Sequence, residues 1–160
     1  MRIVSEYSFN DGPKALRKDR PAEFSEVQEA INAAKPTGKL YSPKDISKAI
    51  LEFLSKKGWT KPAVEFGAPG NVIEGDAVKN GVGVELQFGD YPWLGWDTLR
   101  KMTTLAEKGT YKFGIEIAPM ASLRRRMSKG VGSFEQVTER LEKTGNLDLS
   151  IPVAILGIDV

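Results

Sequence analysis

Asp76 and Glu85 stand nine positions apart on either side of the dipeptide Asn80-Gly81. An Asn-Gly pair closes a two-residue hairpin as a type I′ turn, because both positions accept positive φ. With that loop the register is arithmetic: Lys79 faces Val82, Asp76 faces Glu85, and Glu74 faces Gln87. Alternation then turns Val82, Val84, Leu86 and Phe88 to one side, and Gly83, Glu85 and Gln87 to the other with Asp76 and Glu74. Directly opposed carboxylates, about 5 Å apart at Cβ, repel by roughly 3 kcal/mol at an effective dielectric near 20. A divalent cation removes that repulsion. A solvent-facing hairpin, or a bulge that takes Asp76 out of register, avoids it without any metal.

The rest of the composition narrows the metal. The chain has no histidine and no cysteine, which excludes a Ser-His-Asp triad, a thiolate nucleophile, a disulfide framework and zinc sites of Cys/His type. Oxygen ligands alone favour a hard cation, Mg²⁺ or Mn²⁺.

Charge is unevenly spread. Residues 71–98 carry five acids against Lys79 alone, a net of −4, and residues 99–130 carry eight bases against Glu107 and Glu116, a net of +6. An acidic focus beside a basic stretch suits a metal-dependent enzyme acting on a polyanion, while alternating solvated faces are the plainer reading.

These residues need a frame. At 160 residues the chain is expected to form one domain, 1–160. Residues 2–9 read as a strand and 21–34 as an amphipathic helix with Phe24, Val27, Ala30 and Ile31 on one side. Ser42-Pro43 caps a second helix with Ile46, Ile50, Leu51 and Leu54, ended by Gly58. Residues 71–80 and 81–88 form the hairpin strands. A helix runs from Leu94 to Gly109, and Tyr111 to Ala118 alternates as a strand with one buried face. A capping box at Ser133 and Gln136 opens a last helix, and residues 147–160 hold one or two strands, with Pro152 at an edge or break. The fold class is α/β with a mixed central sheet flanked by helices. Glu6, Asn10 and Asp11 interrupt any apolar leader, and no apolar run approaches the roughly 18 residues of a membrane span, so a cytoplasmic location without membrane contact is expected.

The residues Gly75-Asp76, then Glu85-Leu86-Gln87, resemble the PD-(D/E)XK nuclease motif. The variant with Gln in place of Lys is similar to the BglII-like group of type II restriction endonucleases. The resemblance runs from about Asp45 to Ala118 and, less closely, through the carboxy-terminal helix and strand; it departs from the motif at Gly75, where proline is usual. It implies a restriction-endonuclease-like fold and Mg²⁺-dependent hydrolysis of double-stranded DNA by a homodimer. Asp76, Glu85 and the Leu86 carbonyl would hold the metal, with Mn²⁺ as substitute, and Gln87 would orient the attacking water. Glutamine cannot carry a proton away, so water activation falls more heavily on the metal. Glu74 and Glu52 are candidates for supporting acids, or ordinary surface residues.

For DNA contact the candidates are Arg124, Arg125, Arg126 and Lys129, then Lys79, Arg100 and Lys101. Trp93 and Trp96 read as packing residues rather than base-stacking ones. Two other functions stay open at this point: a structure-selective repair nuclease on the same fold, and a DNA-binding module with inert carboxylates.

Overall fold

A computed structural model describes residues 1–36, 40–89, 96–127, 130–144 and 149–160, the side chains of 96–99 and 144 excepted. Its sheet is mixed, in the order β1 (Arg2–Phe9), β7 (Val153–Asp159), β6 (Phe113–Pro119), β5 (Val82–Leu86), β4 (Ala77–Lys79). β5, β6 and β7 run parallel, and β1 and β4 close the two edges antiparallel.

Helices cover both faces, so β5, β6 and β7 are buried on both sides, with Glu85 and Glu116 as acidic members of an otherwise largely apolar interior. On one face Val82, Val84, Ile115, Ile117, Ala154, Leu156 and Ile158 pack against α1 (Gly12–Asp19), α2 (Pro21–Ala33) and α3 (Pro43–Lys56). Leu16, Ile31, Ile50 and Leu54 are fully buried there, each contributing about 1.5–3 kcal/mol. On the other face Ala118, Val153 and Ile155 meet α4 (Trp96–Glu107) and α6 (Phe134–Thr144) through Met102, Leu105, Phe134 and Val137. The strand 113–119 therefore has two buried faces, not the single one its alternation predicts. Among the described residues no helix is long and apolar enough to cross a membrane.

Local signals account for several boundaries. Ser42 Oγ accepts the Asp45 N–H at 3.2 Å, with Pro43 in the first turn of α3. The Ser133 N–H donates to Gln136 Oε1 at 3.0 Å, which is half of a capping box. Pro152 immediately precedes β7, an interior strand, so the missing N–H costs the ladder nothing. The short helix α1 is absent from the sequence expectation: Asn10 and Asp11 adopt left-handed φ of 48° and 58° and turn the chain into it, and its eight residues span only about two turns.

The largest departure lies before the hairpin. Residues 71–80 do not form one strand: β3 (Val72–Glu74) pairs with β2 (Ala63–Glu65) as a separate ribbon, and the chain enters the main sheet only at β4. The crossing is at Gly75, whose N–H donates to the Pro62 carbonyl at 3.0 Å. A Cβ there would lie 2.1 Å from Tyr111 Oη and 2.8 Å from Glu85 Oε1, so a larger residue would have to displace the side chains of the site.

Candidate active site

The hairpin itself follows the arithmetic. Asn80 and Gly81 have φ of 49° and 79°, and the pairs are Lys79↔Val82, Val78↔Gly83 and Ala77↔Val84. α2 fixes its tip: Asn80 Nδ2 donates to Glu23 Oε1 at 2.6 Å, and Lys79 Nζ reaches both Glu26 oxygens at 2.8 Å and the Lys57 carbonyl at 2.9 Å. Lys79, a DNA-contact candidate by sequence, is thus a brace between hairpin and helix.

The ladder stops at Ala77, one residue short of the expected Asp76–Glu85 pair. Asp76 instead turns its side chain across to β5, where Oδ2 accepts the Leu86 N–H at 2.7 Å. Glu74 does not face Gln87; it pairs with Ala63 in the outer ribbon, and its carboxylate is bonded to Lys61. The break at Gly75 removes it from the carboxylate face.

Glu85 is the buried centre, 1 % exposed. Its Oε1 accepts the Tyr111 hydroxyl at 2.8 Å, and Lys101 Nζ stands 2.6 Å from its Oε2. Burial pushes the Glu85 pKa up to about 7, against the pull of Lys101 and with the Asp76 charge adding to the rise. Tyr111 is pushed up too, by burial first and then by Glu85, so its hydroxyl is a fixed donor. Gly83 makes room for it: a Cβ at 83 would lie 2.3 Å from the ring.

Beside Glu85 in the parallel register is Glu116 on β6. It is wholly buried, and neither of its oxygens has a hydrogen-bond partner among the described residues. Burial, then repulsion from Glu85, pushes it up to about 8, so near neutral pH this face favours a protonated Glu116.

Gln87 continues the strand direction, half-buried, its N–H donating to the Ile117 carbonyl at 2.8 Å. Glu52 is exposed on α3 and lies 3.8 Å from Lys48, an ordinary helix-surface pair. Lys101, a DNA-contact candidate by sequence, also reaches the buried carboxylate of Glu85. Its neighbour Arg100 is exposed and lines an open groove with Phe66, Ile73, Glu74 and Lys101. A second groove on the Leu86 side is bounded by Ser42, Lys44, Ser47, Phe88 and Val131.

In the arginine cluster, α5 (Ala121–Arg124) ends with Arg124 half-buried and Arg125 exposed, while the Arg126 guanidinium stacks 4.2 Å over the Tyr41 ring. Lys129 and Trp93 lie outside the described residues, as does the side chain of Trp96.

An all-oxygen donor set therefore exists: the carboxylates of Asp76 and Glu85, flanking the Leu86 peptide. Among the described residues no third acid completes a larger cluster. A cation already stands on Glu85, in the form of the Lys101 ammonium, so the site's demand for positive charge is visible in its own side chains.

The model of the restriction endonuclease BglII/BglIII family matches residues 4–158. The chain is similar in fold to the crystal structure of the restriction endonuclease BglII complexed with a DNA 16-mer, at a TM-score of 0.79 and 17 % identity, covering 100 % of this chain and 79 % of that one. It is similar also to free BglII, at 0.73 and 19 %, covering 100 % and 80 %. No curated protein matches. With the family's model spanning all but the ends of the sequence, over a fold that brings Asp76 and Glu85 together, the chain belongs to the BglII/BglIII restriction endonuclease family and is a DNA-cleaving enzyme.

Proposed function

We propose that the enzyme hydrolyses double-stranded DNA at a defined sequence, with Mg²⁺ held by Asp76, Glu85 and the Leu86 carbonyl and Gln87 orienting the water. The observation that carries this reading is the pairing of Asp76 and Glu85 around one peptide unit: Asp76 is fixed by the Leu86 N–H, and the next residue on the strand is Gln87.

When bound, the divalent ion polarises the phosphate and lowers the pKa of water. The residues do the rest. Tyr111 holds Glu85 Oε1 from behind, so the carboxylate keeps its direction while the other oxygen stays toward α4. Gln87 aligns the attacking water with the leaving 3′ oxygen but takes no proton. Arg100, Arg124 and Arg125 would meet phosphates on either side, fixing register without reading sequence.

Two copies, one for each strand, fit a duplex substrate with two-fold symmetry, so a homodimer is the expected working form. A structure of similar fold holds a DNA 16-mer, which supports DNA as the partner. We also read residues 1–160 as one domain, because both apolar clusters pack on the same sheet, and the cytoplasm as its location.

The test is digestion of a fully sequenced plasmid. Discrete fragments with Mg²⁺ and none with EDTA are expected, and Asp76→Ala should lower cleavage by about 100-fold or more. Unchanged cutting by Asp76→Ala would sink the site assignment, and structure-selective nicking would replace the sequence-specific reading.

A further inference from the structure

The motif on β5 carries no cation: position 87, where the nuclease motif has lysine, is Gln87. The site nevertheless contains an ammonium. Lys101 Nζ stands 2.6 Å from Glu85 Oε2, and the Glu85 side chain is 2 % exposed, so the contact is withdrawn from water on the carboxylate side. Lys101 itself keeps 30 % of its side-chain exposure and lines the groove with Phe66, Ile73, Glu74 and Arg100. One side chain thus spans the distance from the buried carboxylate to the open groove.

We propose that Lys101 supplies from helix α4 the positive charge that strand position 87 lacks, as the positioning residue that aims Glu85 for cleavage. The inference rests on the reading of Asp76 and Glu85 as the metal site. Three features support it. Tyr111 occupies Glu85 Oε1 and Lys101 occupies Oε2, so the two donors together fix the plane of the carboxylate. Met102, the next residue, is fully buried in the second apolar cluster, which fixes this turn of α4 against the sheet. The partly exposed Lys101 side chain also lines the open groove beside Arg100, so one residue borders both the carboxylate and the groove.

Lys101 has a second consequence in the absence of DNA. It stands on a carboxylate oxygen that a divalent ion needs, so it competes with that ion. Removing the ammonium should tighten divalent-ion binding to the free protein while slowing the reaction.

The chain contains no cysteine, which allows a chemical test at this position alone. Lys101→Cys is measured as the free thiol, after aminoethylation, which restores an ammonium at nearly the lysine length, and after carbamidomethylation, which adds a neutral group. Alkylation can be carried out on unfolded chain before refolding, so poor folding of the thiol form does not block the comparison. Three readouts are taken: single-turnover cleavage at saturating DNA with Mg²⁺, DNA affinity in Ca²⁺, and Mn²⁺ binding to DNA-free protein by electron paramagnetic resonance. The neutral adduct is expected to lose about 100-fold in single-turnover rate, keep its DNA affinity and bind Mn²⁺ more tightly, and the aminoethyl adduct to recover most of the rate.

A neutral adduct that cleaves at the parent rate at saturating DNA would overturn the proposal and return Lys101 to an ordinary phosphate contact. Asp76→Ala, run in parallel, separates this failure from that of the underlying site. If it still binds Mn²⁺ and cleaves, the metal site is wrong, whereas an inactive Asp76→Ala beside an active neutral adduct removes only Lys101.

Discussion

Glu116 is the residue whose surroundings make the sharpest demand. Its side chain is wholly buried, its oxygens are unpartnered among the described residues, and its pKa is raised from about 4.5 to about 8. The folded protein therefore holds a proton that the unfolded chain releases as pH rises above about 4.5, so stability at this site is greatest in acid and declines between about pH 4.5 and 8. Glu116→Gln keeps the shape and removes the titration. It is expected to unfold like the parent near pH 4.5 and to be more stable at pH 9, by an amount of order a few kcal/mol or several degrees in Tm. Thermal unfolding of both proteins at the two pH values checks this, and an equal difference at both would refute it. The sequence marks Glu116 only as the polar member of an alternating strand. Nothing in that alternation tells that α4 and α6 cover its face, because which side of a strand a neighbouring helix packs on is decided by the tertiary fold and not by the strand's own pattern.

At the scale of elements, the hairpin shows what local chemistry can and cannot specify. Asn80-Gly81 sets the turn and the register of three residue pairs, and α2 then braces the tip. The pair beyond them fails because Gly75 carries the chain out of the main sheet, and the β2–β3 ribbon that captures it depends on contacts with residues 63–65. Tyr111 was equally hidden: its place in the run Tyr111, Phe113, Ile115, Ile117 reads as one more strand residue, whereas it precedes β6 and packs across Gly83 onto Glu85. For Lys101 the sequence offers one signal, the absence of lysine at position 87, which does not say where another cation stands. Gly83→Ala tests the packing of Tyr111. Its Cβ would overlap the ring, so a loss of about 1–3 kcal/mol in a urea titration is expected, together with slower cleavage as Tyr111 leaves Glu85. Parent-like stability would mean that the ring moves aside freely.

For the molecule as a whole, the two charge blocks separate less cleanly in space than in sequence. From the acidic block Glu74 leaves for the outer ribbon, and from the basic block Lys101 enters the site while Arg126 stacks on Tyr41. Arg125 stays exposed, and Arg125→Ala is expected to weaken binding on all sequences alike and to reduce the slope of log affinity against log salt by about 1, with the cleavage rate at saturating DNA unchanged. A filter-binding salt series in Ca²⁺ measures it, and a change confined to one target sequence would make Arg125 a base reader. The pairing of β1 with β7 carries a different implication. Asp76, Glu85, Lys101, Tyr111 and Glu116 all belong to one stretch of chain, whereas Arg2 pairs with Asp159, so the reactive groups are neighbours in sequence and the seam that frames them joins the two ends. Closing that outer loop, two doublings longer than the one from Asp76 to Glu116, costs about 1.2 kcal/mol more in chain entropy. Because β7 lies between β1 and β6, the sheet behind the reactive groups is whole only once residues 153–159 have joined it, and that step carries the larger closure cost.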